Sequence, residues 1–177
     1  MLSIRRATPA DIALIRTLAA EAFPATYRSI LSPEQLDYMM EWMYSARSLE
    51  TQMREGHVFF IPTLDGEPCG YLSVEQQGDD LFHLQKIYVL PRFQGRGVGA
   101  FLFRQAVEYI RSIHPAPCRM ELNVNRHNRA RHFYERMGMQ RLRDGDFPIG
   151  NGFFMNDHIM GLDIGGADEK LQLQNPE

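Results

Sequence analysis

The spacing of apolar positions changes period along the chain. From Ile12 onward they recur at helical intervals, as Ile12, Ile15, Leu18, Ala19 and Ala22, which predicts a helix with one buried face. Thr8-Pro9-Ala10-Asp11 marks its start. Thr8 reads as the N-cap, Pro9 occupies the first helical position, and Asp11 supplies the acidic half of a capping box. A short strand over 4–6 precedes it. Ser32-Pro33-Glu34-Gln35 repeats the start signal, and Leu36, Met39, Met40, Met43 and Tyr44 continue at helical spacing. Residues 48–54 predict a further short helix ending at Gly56.

The pattern then turns strand-like. Strands are expected over 57–64, 68–77 and 81–90, separated by the turns Asp65-Gly66-Glu67 and Gly78-Asp79-Asp80. A glycine-rich turn leads into a helix with Val98, Phe101, Leu102, Ala106, Tyr109, Ile110 and Ile113 inward, stopped by Pro115 and Pro117. A strand over 120–124, a helix over 128–137 closed by Gly138, and strands over 139–143 and 153–162 complete the pattern. Antiparallel hairpins thus precede one βαβ unit, which implies a mixed α/β sheet.

Length and composition narrow the class. The 177 residues suit one domain, taken as 1–164, with a polar tail over 165–177. The net charge of −3 offers no general attraction to nucleic acid or to an anionic membrane. No apolar run reaches spanning length, and no leader pattern follows Met1. Cys69 and Cys118 read as reduced, packed thiols of a cytoplasmic protein, neither at metal-ligand spacing from a histidine; no metal is expected.

The candidate chemistry begins at Gln94-Gly95-Arg96-Gly97-Val98-Gly99-Ala100, where a strand runs through alternating glycines into a helix. Glycine lets backbone N–H groups converge on an anion, and a helix start adds unpaired donors and partial positive charge. The combination makes a pyrophosphate cradle; a bare strand-to-helix turn is the competing reading. A P-loop would need Gly-Lys-Ser/Thr, which is absent. A dinucleotide fingerprint is nearer, since Gly95, Gly97 and Ala100 almost satisfy it and Glu121 stands near the ribose-acid position. Its mid-chain place after three hairpin-connected strands argues against it.

Gln94-x-x-Gly97-x-Gly99 after Ile87-Tyr88-Val89 resembles the acetyl-CoA signature of the GNAT N-acetyltransferase superfamily. Asn128-Arg129-Ala130-Arg131-His132-Phe133-Tyr134-Glu135-Arg136-Met137-Gly138-Met139 is similar to the superfamily's later Asn-x-x-Ala-x-x-Phe-Tyr-x-x-x-Gly-Phe segment. The opening residues 4–11 also look like its first strand and helix, and the acceptor-side segment distantly resembles the polyamine-acetylating branch. The resemblance implies a mostly antiparallel sheet of about seven strands with helices on both faces and a splayed parallel pair at the acetyl-CoA site. It implies transfer of an acetyl group to a primary amine of a small molecule or peptide, by direct attack through a tetrahedral intermediate, and a homodimer as an open partner state. A nucleotide-binding oxidoreductase and a non-catalytic CoA-binding module are the alternatives.

By the same resemblance, Ile87, Tyr88 and Val89 contact the pantetheine arm, the Val89 N–H faces the thioester oxygen, and Gln94, Gly95, Arg96, Gly97, Val98, Gly99 and Ala100 hold the pyrophosphate. Asn128 contacts CoA, and Tyr134 is the acid that protonates the departing thiolate. A lysine-like amine has a pKa of about 10.4, so the site must remove a proton at neutral pH. His83, where the histone-modifying branch carries Glu, is the candidate base, with Glu75, Asp157 and His158 behind it. Phe23, Tyr27, Glu75 and Asp157 are the acceptor-side candidates. Helix N-cap for Asn128, core packing for Tyr134 and Phe23, and a surface position for His83 are the competing structural readings.

Overall fold

The computed structural model describes residues 1–165. The polar tail expected over 165–177 therefore lies, beyond Gly165, outside the described residues. The elements are β1 (Leu2–Arg6), α1 (Ile12–Tyr27), α2 (Pro33–Tyr44), α3 (Ala46–Arg54), β2 (Val58–Leu64), β3 (Glu67–Pro68), β4 (Gly70–Gly78), β5 (Leu81–Val89), α4 (Val98–Ile113), β6 (Cys118–Asn125), α5 (Ala130–Arg136), β7 (Gln140–Gly150) and β8 (Phe153–Ile164).

The helix starts follow the local chemistry. The Thr8–Asp11 capping box forms, with Thr8 N donating to Asp11 Oδ2 at 2.9 Å, but it caps a 3-10 turn over Pro9–Asp11, and the α-helix expected from Pro9 begins only at Ile12. Arg5 grips the same carboxylate at 2.8 and 2.9 Å and, foremost among the causes, holds the Asp11 pKa at about 2. Ser32 Oγ accepts from Gln35 N and caps α2, and Ser45 Oγ accepts from Ser48 N and caps α3. That second cap starts α3 two residues earlier than its apolar pattern shows. In α4 the buried stripe is Val98, Leu102, Phe103, Ala106, Val107 and Ile110. Ile113, expected inward, is 49% exposed, because it is the last helical residue and the stripe has already ended.

The strands form one sheet ordered β1-β2-β4-β5-β6-β8-β7, with β3 on β2. Its recorded pairs are antiparallel except β5–β6, which is parallel, so the expected mixed, mostly antiparallel sheet is present with eight strands. Asp65 and Gly66 take φ of 50° and 85°, the geometry of a tight hairpin turn. The strand expected over 68–77 is interrupted at Cys69, whose N–H turns to Pro62 O while its carbonyl accepts from Leu90 N. β7 runs seven residues beyond the strand end expected at Arg143. The turn lies instead at Gly150-Asn151-Gly152, all three at positive φ. Pro148 is tolerated because β7 is the last strand of the sheet. Among the described residues no helix is long and apolar enough to cross a membrane.

The chain gathers into two compact units. One comprises Met1–Glu75 with Gln85–Phe103; the other comprises Gln76–Leu84 with the chain from Arg104. Ile15, Phe23, Leu49, Phe59, Ile61, Tyr71, Leu72, Leu102 and Phe103 are among the most deeply buried side chains of the first; Phe82, Ala106, Ile110, Met120 and Met160 are among those of the second.

Within the first unit Gly70 sets the approach of β4 to β5: an added Cβ would lie 2.1 Å from Tyr88 O. Gly70→Ala is expected to destabilise by about 2–4 kcal/mol, the range for overpacking against an unyielding backbone. Denaturant unfolding checks this; a variant within about 0.5 kcal/mol of the parent would show that β5 moves freely.

Candidate functional site

The glycine turn belongs to the first unit. After β5, Leu90 is buried and Pro91–Phe93 form one 3-10 turn. Gly95 and Gly97 then adopt φ of 77° and 79°, in the left-handed region that only glycine enters readily. A Cβ built on either would meet nothing within 4 Å. Glycine is therefore required by backbone conformation, and the space beside it is open. Three contacts fix the turn. Gln94 Nε2 donates to Val89 O at 3.2 Å. Arg92 binds Glu21 of α1 at 2.7 and 2.9 Å. Phe93 is buried beneath the guanidinium groups of Arg92 and Arg96, 4.9 and 5.8 Å from its ring. Phe101 N donates to Gly97 O at 3.0 Å, so the amides of Val98, Gly99 and Ala100 precede the first bond of a 16-residue helix. Donors, open space and positive helix end fit a pyrophosphate.

The first unit also holds an aromatic cluster. Tyr88 stacks on Tyr71 at 5.1 Å. Phe23 lies 4.6 Å from Tyr27 and 6.0 Å from Tyr88, and the Tyr44 and Tyr71 hydroxyls are 2.8 Å apart. Phe23 is 1% exposed and serves as a core ring, while Tyr27 stands half-buried at the edge. Glu75, considered singly in the sequence, is bound on both sides: His57 Nε2 lies 2.9 Å from Oε2 and Gln85 Nε2 donates to Oε1 at 3.0 Å. Burial foremost lowers the His57 pKa.

Lys86 was not singled out by the sequence. It is buried, donates from Nζ to Gln52 Oε1 at 2.6 Å, and lies over the rings of Tyr44 and Phe59. Desolvation lowers its pKa to about 8, against the opposing pull of Glu75. The strand alternation around it hinted at an inward lysine, since Phe82 and Leu84 share its parity.

In the second unit, His83 is half-buried on β5. The parallel ladder pairs Leu81–His83 with Arg119–Glu121, His83 standing opposite Glu121. Both strands run on past it, β5 to Val89 and β6 to Asn125. Asn128 lies just before α5 rather than inside it, and its Oδ1 accepts from Ala130 N at 2.9 Å. Tyr134 is 8% exposed on α5. Asp157 is buried opposite Asn125 on β8 and accepts from Asn123 Nδ2 at 3.2 Å; burial foremost raises its pKa. His158 has both ring nitrogens engaged, by Asp144 at 2.6 Å and Arg131 at 3.2 Å, which leaves it no lone pair for an acceptor amine.

A sequence model of the acetyltransferase (GNAT) family matches residues 14–139. The chain belongs to this family. GNAT acetyltransferases take the acetyl group from acetyl-CoA, and in this member the glycine turn suits that donor. It is similar to an uncharacterized N-acetyltransferase of Lactobacillus delbrueckii subsp. lactis, 27% identical over 150 residues, covering 80% of this chain and 86% of the relative. An Archaeoglobus fulgidus uncharacterized N-acetyltransferase is 33% identical over 92 residues, 48% of this chain and 61% of the relative. Among solved structures, the PaiA N-acetyltransferase of Thermoplasma acidophilum in complex with coenzyme A superposes with a TM-score of 0.73 at 22% identity, covering 91% of this chain and 98% of that one. The ribosomal-protein-S18-alanine N-acetyltransferase of Escherichia coli gives 0.70 at 21%, covering 97% and 99%. These likenesses share the GNAT fold and do not favour the oxidoreductase alternative.

The buried lysine ties the protein's stability to pH. Unfolding restores Lys86 from about 8 to its ordinary value, so the unfolded chain binds more protons between the two values and stability rises with pH across that window. Below pH 8 the full cost is present, on the order of 3 kcal/mol. Lys86→Met should stabilise the protein at pH 7 and flatten the rise between pH 8 and 9.5, as measured by urea unfolding at each pH. An equal slope in parent and variant would show that Lys86 titrates as an exposed lysine does.

Proposed function

We propose that this GNAT acetyltransferase acetylates a primary amine of a small molecule or peptide by direct attack on the thioester of acetyl-CoA. The observation that carries the reading is the turn with Gly95 and Gly97 at φ of 77° and 79°, opening onto the start of α4. Gln94 to Ala100 hold the pyrophosphate with backbone amides, as a helix start does for any compact anion. Ile87 and Val89 lie beyond the end of the β5–β6 ladder, and their main-chain groups pair with the pantetheine arm as with an added strand. Tyr88 supports this stretch through its stacking on Tyr71. The bound thioester supplies an activated acetyl group. The Val89 N–H is the donor assigned to its carbonyl oxygen, where negative charge develops.

His83 takes the proton from the amine, directly or through water, and Tyr134 gives one to the leaving thiolate. Asn128 bonds to the CoA arm with the polar capacity its capping contact leaves free. On the acceptor side, Tyr27 offers an aromatic edge. Asp157 is buried, bound by Asn123 and shifted by burial away from the charged form, so it is the weaker of the acceptor-side candidates. Glu75 acts by holding Gln85 and His57, and Phe23 by packing under Tyr27.

Free-thiol release from acetyl-CoA, measured against spermidine, an aminoglycoside, amino acids and N-terminal peptides, tests the reading. At least one amine class should accelerate release above hydrolysis. With that amine, Tyr134→Phe should lower kcat by about 10- to 1,000-fold with little change in acetyl-CoA affinity. His83→Ala should recover rate only as the pH approaches the amine's own pKa of about 10.4. No acceleration by any amine, or full kcat in Tyr134→Phe, would overturn the assignment.

A further inference from the structure

Helix α5 carries Tyr134 yet has seven residues, roughly 10 Å of helix. A helix of that length has little stability of its own, because nucleation outweighs so few bonds. Its direction must come from outside it. At one end Asn128 Oδ1 accepts from the first helical amide, Ala130 N, and Gly138 at φ 99° closes the other. Tyr134 and Met137 provide the buried contacts. One further anchor is polar, and it comes from the β7–β8 hairpin.

Asp144 on β7 accepts from His158 Nδ1 at 2.6 Å. Arg141 holds the same carboxylate at 2.7 and 3.0 Å. His158 Nε2 lies 3.2 Å from Arg131 Nη1 on α5, and Arg131 Nε lies 3.3 Å from Glu135, one turn further along the helix. The donor pattern is determined by chemistry. A guanidinium can only donate, so Nε2 must accept and the ring hydrogen must sit on Nδ1, facing Asp144. His158 is 7% exposed, so this neutral tautomer is held in a site with little water to replace either bond. Arg131 stands three residues before Tyr134, on the adjacent turn of the same helix face.

We propose that the Asp144–His158–Arg131 chain is a positioning device for the catalytic acid: it locks α5 to the β7–β8 hairpin and so fixes where the Tyr134 hydroxyl stands. This rests on the acid role of Tyr134 argued above. His158 is a positioning residue that acts through Arg131 and touches neither substrate. The Arg131 contact is the one that matters for the reaction, because it alone reaches the helix. The Asp144 contact selects the tautomer that makes Nε2 an acceptor.

Two substitutions separate the halves of the imidazole. In His158→Asn the amide nitrogen stands near the place of Nδ1 and keeps the donor to Asp144, but nothing accepts from Arg131. In His158→Gln the amide oxygen reaches the place of Nε2 and keeps the acceptor for Arg131, but the donor to Asp144 is lost. Both remove one hydrogen bond, so a purely structural role predicts similar falls in Tm and similar kcat. Positioning predicts that His158→Asn loses about tenfold in kcat while His158→Gln stays within about twofold, as misplacement of a catalytic group by about 1 Å can cost up to 100-fold. The acetyl-CoA Kd should hold in both, which also reports that each is folded. Arg131→Met reaches the same contact from its half-exposed end, should match His158→Asn, and serves where the buried substitutions do not fold. The double variant Tyr134→Phe/His158→Asn should be no slower than Tyr134→Phe alone. Equal kcat in the Asn and Gln variants, or additive losses in the double variant, overturns the positioning role. Full kcat in Tyr134→Phe overturns the acid assignment instead, so the two failures are told apart.

Discussion

The left-handed backbone at Gly95 and Gly97 is the constraint on which the rest of the site depends. A residue with a Cβ is strained at either φ, and nothing crowds the position to explain glycine in any other way. The chain places two flexible residues in the turn just before α4, and ordering them costs more backbone entropy than ordering any other residue type. It compensates with specific ties: Gln94 to the Val89 carbonyl, Arg92 to Glu21, and Phe93 buried under two guanidinium groups. The turn is thus held from both sides while its open face is left to backbone donors. A loop serving connection alone needs none of this.

Strand β5 carries that constraint into the chemistry. Its residues alternate between half-buried and buried from Leu81 to Lys86, and the alternation stops at Ile87, Tyr88 and Val89, all half-buried. The part that leaves the regular pattern is the part assigned to the acyl donor. Around it the core is more polar than the hydrophobic pattern suggests. Lys86 sits among aromatic rings with one amide partner, and Glu75 is shared between His57 and Gln85. Such groups are costly to bury and restrict how the strand can pack, a trade of stability for definition that suits a strand used for positioning.

Much of the fold was legible because its signals are local. The Thr8–Asp11 box, the Ser32 cap and the Asp65-Gly66 turn each follow from a few adjacent residues, and each forms as expected. The glycine turn was legible for the same reason. What escaped depends on register. Nothing along the chain brings His57 to Glu75, or Asp144 to His158 and Arg131; strand pairing and helix placement do that. The extension of β7 to Gly150 has a local signal in Gly150-Asn151-Gly152, but the charged residues between Arg141 and Asp146 show no apolar alternation by which to read a strand. Phe23 read as a cleft aromatic because composition does not distinguish a ring at the surface from one beneath it, and its burial follows from Tyr27, Tyr44 and Tyr88 closing over it.

Main-chain amides of one continuous segment, Ile87 to Ala100, are the groups assigned to acetyl-CoA. Amide hydrogen exchange with and without acetyl-CoA tests this assignment most directly. Ligand is expected to slow exchange at Ile87, Val89 and the amides from Gly95 to Ala100, with β1 and β2 unchanged. Protection confined to other segments, or none at saturating acetyl-CoA, would contradict it.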